Sequence, residues 1–325
     1  MSTFAFLFPG QGSQVPGMGK DLAERFPEAR RVYERADAAL QPFHLSIQKV
    51  SFNGEEDELR QTAVTQPAIL VHSIAVFEVL RVRGFQPAIA AGHSLGEYSA
   101  LVAAGALTLE EAVVLVRRRG LFMQEAVPVG EGGMAAVIGM AGAEVAEVAR
   151  LAAEEVGGVC SAANFNSPEQ TVIAGDGGSI ARAAELLKAR GAKRVLPLSV
   201  SAPFHCALMK PAEEKLVPFL DATPFQPLAF PVVTNVDVAV NSDPGVARES
   251  LRRQVCSTVR WVETIEYSYH VMVRARGAVR SVFGTTTPIP TRAMPTLTIG
   301  MHTTIPATTM RSAGWAKRAG RHSGM

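Results

Sequence analysis

The stretch AGHSLGEYSALVAA, residues 91–104, constrains the fold more than any other part of the chain. A short apolar run at 85–91, with Pro87 near its start, precedes it in the pattern of a buried strand, and Tyr98, Leu101 and Val102 follow at helical spacing. Between the two lies Gly92-His93-Ser94-Leu95-Gly96, a match to G-x-S-x-G. In that pattern the glycines permit a turn tight enough to lift a serine hydroxyl above the edge of a sheet. Ser94 is therefore a candidate nucleophile, and a strand feeding a helix through such a turn points to an α/β fold. Taken alone, the five residues are equally an ordinary Gly/Ser turn.

Residues 3–8 form a second strand candidate, closed by Pro9-Gly10-Gln11-Gly12-Ser13-Gln14. This loop is not a nucleotide cradle: Val15 stands where G-x-G-x-x-G needs its last glycine, and Asp21 follows Lys20 where a Walker pattern needs Ser or Thr. Glycines on both sides of Gln11 still let backbone N–H groups approach a developing negative charge, with a plain turn as the other reading. Helical spacing runs through 22–40 and again from Thr65-Gln66-Pro67 to Leu80, with Pro67 early in the helix and His72 on its apolar face as a packed core histidine. Thr108 and Glu111 form a capping box for the next helix, along which Ala112, Leu115, Val116, Arg119 and Met123 share one face. Arg119 thus falls on an apolar stripe, where a guanidinium is costly without an anion. Its partner is a substrate carboxylate, an acidic residue brought in by the fold, or water reached by an extended side chain.

After the break at residues 130–133 the elements shorten. Strand patterns at 134–140, 159–164, 170–174 and 194–200 alternate with helical ones at 145–155 and 179–190, the βαββαβ order of a ferredoxin-like insertion. His205 follows directly, at a turn containing Pro203, where bases are commonly displayed, and it is the best candidate base among the seven histidines. A loop histidine alone is as readily structural. Cys206 beside it reads as a small core residue, because nothing cationic marks it as activated.

Several partner classes are excluded. A net charge of +2 is too slight and scattered for nucleic acid, and the N-terminus lacks the basic start of a signal peptide. No stretch reaches membrane-spanning length. The three cysteines, Cys160, Cys206 and Cys256, form no C-x-x-C pair, which suits a reducing, cytoplasmic setting without structural zinc. Beyond Glu266 the chain has no acidic residue and shows no sustained period. The expected organisation is a hydrolase-like core with a parallel sheet at 1–129 and 201–266, a ferredoxin-like subdomain at 130–200, and a Thr/Pro-rich basic tail at 267–325. On this reading a chain ending near Glu266 behaves like the whole.

Five stretches carry a resemblance: FPGQGSQ at 8–14, GHSLGEYSALVAAGAL at 92–107, RRRGLFMQEAVP at 117–128, NFNSPEQTVIAG at 164–175 and SAPFHCALM at 201–209. In this order, and over about residues 4–267, they resemble the malonyl-CoA:acyl carrier protein transacylase family. The resemblance implies that Ser94 becomes malonylated, His205 is its general base and Arg119 binds the free carboxylate of malonate. It further implies that the backbone N–H groups of Gln11 and Leu95 form the oxyanion hole and that the backbone carbonyl of Gln254 orients the histidine. Malonyl-CoA and acyl carrier protein are the implied partners of a monomer without metal or cofactor, serving fatty acid synthesis by ping-pong transfer. Lys193 and Arg194, or Arg252 and Arg253, are candidate docking residues for an acidic carrier. The departure lies after Tyr267, where the chain resembles a shifted frame or a replaced end. A serine thioesterase and an inactive carrier-binding module remain the alternatives.

Overall fold

Alternation along the first strand sets up the two faces of the central sheet. In the computed structural model, which describes residues 4–128, 130–198, 200 and 202–282, with side chains up to Met272, β1 is Phe4–Phe8. Phe6 and Phe8 face a large helical core, while Leu7 packs into a smaller cluster on the opposite side. The chain continues through α1 (Lys20–Arg25), α2 (Pro27–Leu40), α3 (Ile47–Asn53), α4 (Glu56–Arg60) and α5 (Thr62–Val82). It returns to the sheet as β2 (Pro87–Gly92) and leaves through α6 (Leu95–Ala103) and α7 (Leu109–Glu125). Contrary to the sequence expectation that no stretch reaches membrane-spanning length, helix α5 is long and apolar enough to cross a membrane, but 78% of its most apolar window is buried inside the protein, so it serves as a core helix. It begins one residue after Gln61, whose carbonyl accepts from Val64 and Thr65 N–H at 2.7 Å each. Pro67 therefore lies inside the helix rather than in its first turn, a correction to the expected start at Thr65.

The next six elements form a sheet of their own. Strands β3 (Gly132–Ile138), β4 (Cys160–Ser167), β5 (Gln170–Asp176) and β6 (Arg194–Pro197) pair antiparallel in the order β4-β5-β3-β6, with α8 (Gly142–Val156) and α9 (Gly177–Ala189) between them in sequence. Ala135, Val137 and Ile173 face those two helices, whereas Met134, Ala136, Val172 and Ala174 join the main core. This is the ferredoxin-like arrangement. Strand β6 stops at Pro197, short of the expected Val200, because proline brings no N–H to the ladder.

The chain then completes the central sheet. After α10 (Lys210–Ala222) come β7 (Val232–Val233), β8 (Val240–Asn241), α11 (Pro244–Gln254) and α12 (Trp261–Val282). The order is β1-β2-β7-β8, parallel except for β8, which pairs antiparallel with β7; the expected parallel sheet thus carries one antiparallel edge. Phe8 is level with Gly92, and Ala91 with Val233, so the carboxyl ends of β1, β2 and β7 finish side by side. In an open parallel sheet that edge is where ligands bind.

Helix α12 corrects the expected tail. It runs unbroken from Trp261 to Val282, across the boundary placed at residue 267. Trp261, Ile265, Ser268 and Met272 recur at i, i+4, i+7 and i+11, one helical face. Ser268 and Met272 are buried, and Met272 packs with Leu7, Ile89, Ala91 and Val233 on the second face of the sheet. Residues 283–325 of the expected tail lie outside the described residues.

Candidate active site

Close packing explains each glycine of the G-x-S-x-G turn. A Cβ on Gly92 would lie 1.8 Å from the backbone carbon of Gly96, and one on Gly96 would lie 2.2 Å from the carbonyl oxygen of Phe8. Neither position accepts a side chain without moving backbone. Ser94 is left at φ 51° and ψ −105°, a conformation that a non-glycine residue holds only when its surroundings enforce it. The enforcing contacts come from the turn just after β7: Asn235 Oδ1 accepts from Ser94 N–H at 2.7 Å, and Asn235 Nδ2 donates to the Gly92 carbonyl at 2.7 Å.

The loop after β1 closes on the same turn, since a Cβ on Gly10 would lie 2.6 Å from the His93 carbonyl oxygen. This brings Gln11 beside the elbow, its side chain donating to Thr62 Oγ1 at 3.1 Å. Leu95 opens α6, where N–H groups have no carbonyl of the helix to donate to and the helix dipole is positive. Gln11 and Leu95 therefore flank Ser94 from adjacent strand ends.

His205 reaches the serine from the chain that returns after β6. Its Nε2 lies 2.7 Å from Ser94 Oγ, and its Nδ1 lies 3.0 Å from the backbone carbonyl of Gln254 at the end of α11. A carbonyl only accepts, so Nδ1 carries the proton and the Nε2 lone pair faces the hydroxyl. Burial, reinforced by the positive charge of Arg119, pushes the imidazole down to about 3. The ring is neutral at physiological pH and able to take a proton. His205 also sits at positive φ, 61°, and borders a cleft of about 670 Å³ whose walls include Ser161, Lys210 and Thr258.

Arg119 is 1% exposed, with its stripe neighbours Ala112, Leu115, Val116 and Met123 buried around it. Gly120 lets α7 approach α5 closely, as a Cβ there would meet the Thr62 carbonyl at 2.7 Å. The guanidinium donates from Nη1 to Gln66 Oε1 at 2.8 Å and from Nη2 to Ser94 Oγ at 3.1 Å and Gln254 Oε1 at 3.0 Å. All three acceptors are neutral. Desolvation lowers the Arg119 pKa from its usual value, yet a guanidinium keeps its proton in proteins. The serine hydroxyl consequently accepts from Arg119 while it donates to His205.

The structure thus gathers Ser94, His205, Arg119, Gln254, Gln11 and Leu95 around one edge of the sheet. It adds four residues that the sequence reading passed over. Gln66, Asn235, Glu97 and Ser250 are buried, and the Glu97 carboxylate accepts from Asn235 N–H, Ser250 Oγ and Gln254 Nε2. Glu97 carried a legible signal, a charge among the apolar residues of α6, of the kind that singled out Arg119. His93, by contrast, turns away to Asn166 Oδ1 at 2.8 Å. Cys206 is a core residue with Sγ 3.1 Å from the Pro203 carbonyl. Of the candidate docking residues, Arg253 pairs with Asp237, Arg252 lies near Glu213 and Glu249, and Lys193 lies 3.7 Å from Glu169.

A hydrolase-like core bearing a ferredoxin-like insertion presents an elbow serine whose histidine leans on a backbone carbonyl instead of an acid, an arrangement that suits the acyl-transfer class of protein. Comparison with known proteins narrows this class. The family model of the acyl transferase domain matches residues 5–276, and the chain belongs to that family. The malonyl CoA-acyl carrier protein transacylase of Bacillus subtilis (strain 168) is 48% identical over 265 residues, covering 82% of this chain and 82% of that protein. Among solved structures, the malonyl CoA-acyl carrier protein transacylase of Coxiella burnetii is similar with a TM-score of 0.80 at 42% identity, over 83% of this chain and 84% of the other. A type II PKS acyl-carrier protein in complex with its malonyl-transacylase gives a TM-score of 0.80 at 44% identity, over 83% and 86% of the two chains.

Proposed function

We propose that this chain transfers the malonyl group from malonyl-CoA to the phosphopantetheine thiol of acyl carrier protein through a malonyl ester on Ser94, in the service of fatty acid synthesis. The observation that carries this reading is the position of Arg119: a buried cation, with no directly bonded carboxylate among the described residues, whose Nη2 touches the nucleophile itself. Such a cation suits an acyl group that ends in an anion.

Ser94 Oγ attacks the thioester carbonyl as its proton passes to His205 Nε2. The oxygen that becomes negative is taken by the N–H groups of Gln11 and Leu95. Collapse breaks the carbon–sulfur bond, and the His205 proton leaves with CoA as its thiol. Once Ser94 Oγ is an ester oxygen it is a poorer acceptor, and the Nη2 donor that it held turns to the malonyl carboxylate. The carrier thiol then repeats the sequence in reverse, His205 taking its proton. The three free cysteines suit a reducing, cytoplasmic setting.

The direct test is mass spectrometry of the protein mixed with malonyl-CoA. A malonyl adduct on Ser94 that persists until carrier protein is added is expected; rapid release of free malonate would instead mark a hydrolase. Arg119→Ala is expected to reverse acyl preference, with the ratio of malonyl to acetyl transfer falling by roughly 100-fold, the effect of losing a buried charge-assisted contact of about 3 kcal/mol. Equal loss with both acyl groups would remove Arg119 from selectivity.

A further inference from the structure

Burying a guanidinium without an ionic partner is costly, and the sequence left three ways to meet that cost. The structure meets it indirectly. Gln254 stands between Arg119 and Glu97, its Oε1 accepting from Arg119 Nη2 at 3.0 Å and its Nε2 donating to Glu97 Oε2 at 2.8 Å. The same Nε2 lies 3.0 Å from the Ser94 carbonyl. A carboxylate only accepts, so Glu97 fixes which way round the Gln254 amide sits and turns its oxygen to the arginine. Glu97 is 1% exposed and burial raises its pKa; acting against this are the bonds it receives from Asn235 N–H and Ser250 Oγ at 3.0 Å each and from Gln254 Nε2, together with the positive charge of Arg119, all of which favour the carboxylate.

We infer that Glu97 is the resting counter-charge of Arg119, held one amide away, and that this spacing sets how firmly the site holds an acyl group bearing its own carboxylate. A carboxylate in direct contact with Arg119 would occupy the fork and have to be displaced by each substrate. Placed behind Gln254, it still offsets the buried positive charge, while the attraction it exerts weakens with distance and leaves the fork open. Glu97 acts through Gln254 and is a positioning residue. Its removal makes Arg119 a stronger anion site, so the malonyl-enzyme becomes too stable to pass its acyl group on readily.

This inference rests on the transferase reading above, and the experiment separates the two. The equilibrium between enzyme plus acyl-CoA and acyl-enzyme plus CoA is measured by intact-protein mass spectrometry at fixed ratios of acyl-CoA to CoA, with malonyl-CoA and acetyl-CoA in parallel. Glu97→Gln keeps the side-chain size and an oxygen facing Asn235 and Gln254, but removes the charge. The malonyl equilibrium is expected to move toward acyl-enzyme by about tenfold, with the acetyl equilibrium within about twofold of the parent. A purely structural role would slow both reactions without moving either equilibrium. An unmoved malonyl equilibrium, or equal movement of both, overturns the inference. Should Glu97→Gln fail to fold, Glu97→Asn and Glu97→Asp, alike in shape and different in charge, give the same comparison: a malonyl-specific difference of about tenfold is expected between them, and identical values overturn the idea. If the parent protein forms no malonyl adduct at all, the transferase reading fails first and takes this inference with it.

Discussion

Replacing His205 with Ala is expected to slow acylation of Ser94 by malonyl-CoA roughly 10⁴-fold, the upper range for loss of a positioned general base. The hydroxyl would keep its bond from Arg119, but Nε2 is the one base within reach of its proton among the described residues. Stopped-flow measurement of CoA release, with a thiol reagent, gives the rate directly. The unsubstituted protein also has a characteristic pH dependence. Because burial holds His205 down to about 3, the imidazole stays neutral as pH falls through the usual histidine range near 6.5, and the acylation rate is expected to be level from about pH 8 to pH 5. A fall in rate centred near 6.5 would contradict the buried geometry. The same shift has a cost in stability. Below about pH 6.5 the unfolded chain takes up a proton at this histidine that the folded chain refuses, so the contribution of neutral His205 is complete above that value and is lost progressively as pH drops toward about 3. His205→Ala should remove that part of the acid sensitivity while abolishing transfer.

A chain ending at Glu266 is expected to lose its cooperative fold, or at least 10 °C in Tm, contrary to what the sequence suggested. Met272 is 5% exposed and lies on Leu7, Ile89, Ala91 and Val233. Burial of a methionine contributes about 1.5–3 kcal/mol, and uncovering the sheet residues beneath it adds a comparable amount. The sum, about 5 kcal/mol, rivals the whole stability of a typical domain, and even a fraction of it lowers Tm by about 2–4 °C per kcal/mol. Thermal unfolding of the shortened chain beside the full one decides the matter; equal melting temperatures would mean that α12 beyond Glu266 adds nothing. The single substitution Met272→Ala isolates the packing contribution, at about 2–4 kcal/mol.

The sequence was most legible where local rules and tertiary demands coincide. The elbow, the capping box of Thr108 and Glu111, and the arginine on the apolar stripe of α7 each follow from spacing and steric need, and the structure has them as written. The βαββαβ order was equally readable, because each element is short, bounded by turns and periodic. What escaped was the set of residues that act across the fold. Asn235 steadies the elbow from 141 positions away, and nothing in its neighbourhood announces that it will stand beside Ser94. Gln66 looked like the start of a helix because proline follows it. Helix α12 was missed for another reason: its buried face includes a serine and a half-buried tryptophan, so a scan for hydrophobic residues alone loses the period just where the composition turns basic.

Among the described residues, two of the four non-glycine residues with positive φ are Ser94 and His205, whose hydroxyl and imidazole lie 2.7 Å apart. Each would relax if its side chain were reduced to hydrogen, since glycine occupies that region freely. Thermostability and turnover are therefore opposed at these positions. A population of this protein selected for heat resistance alone, with no demand for acyl transfer, would drift toward glycine at 94 and 205 and arrive at a sturdier, inert scaffold.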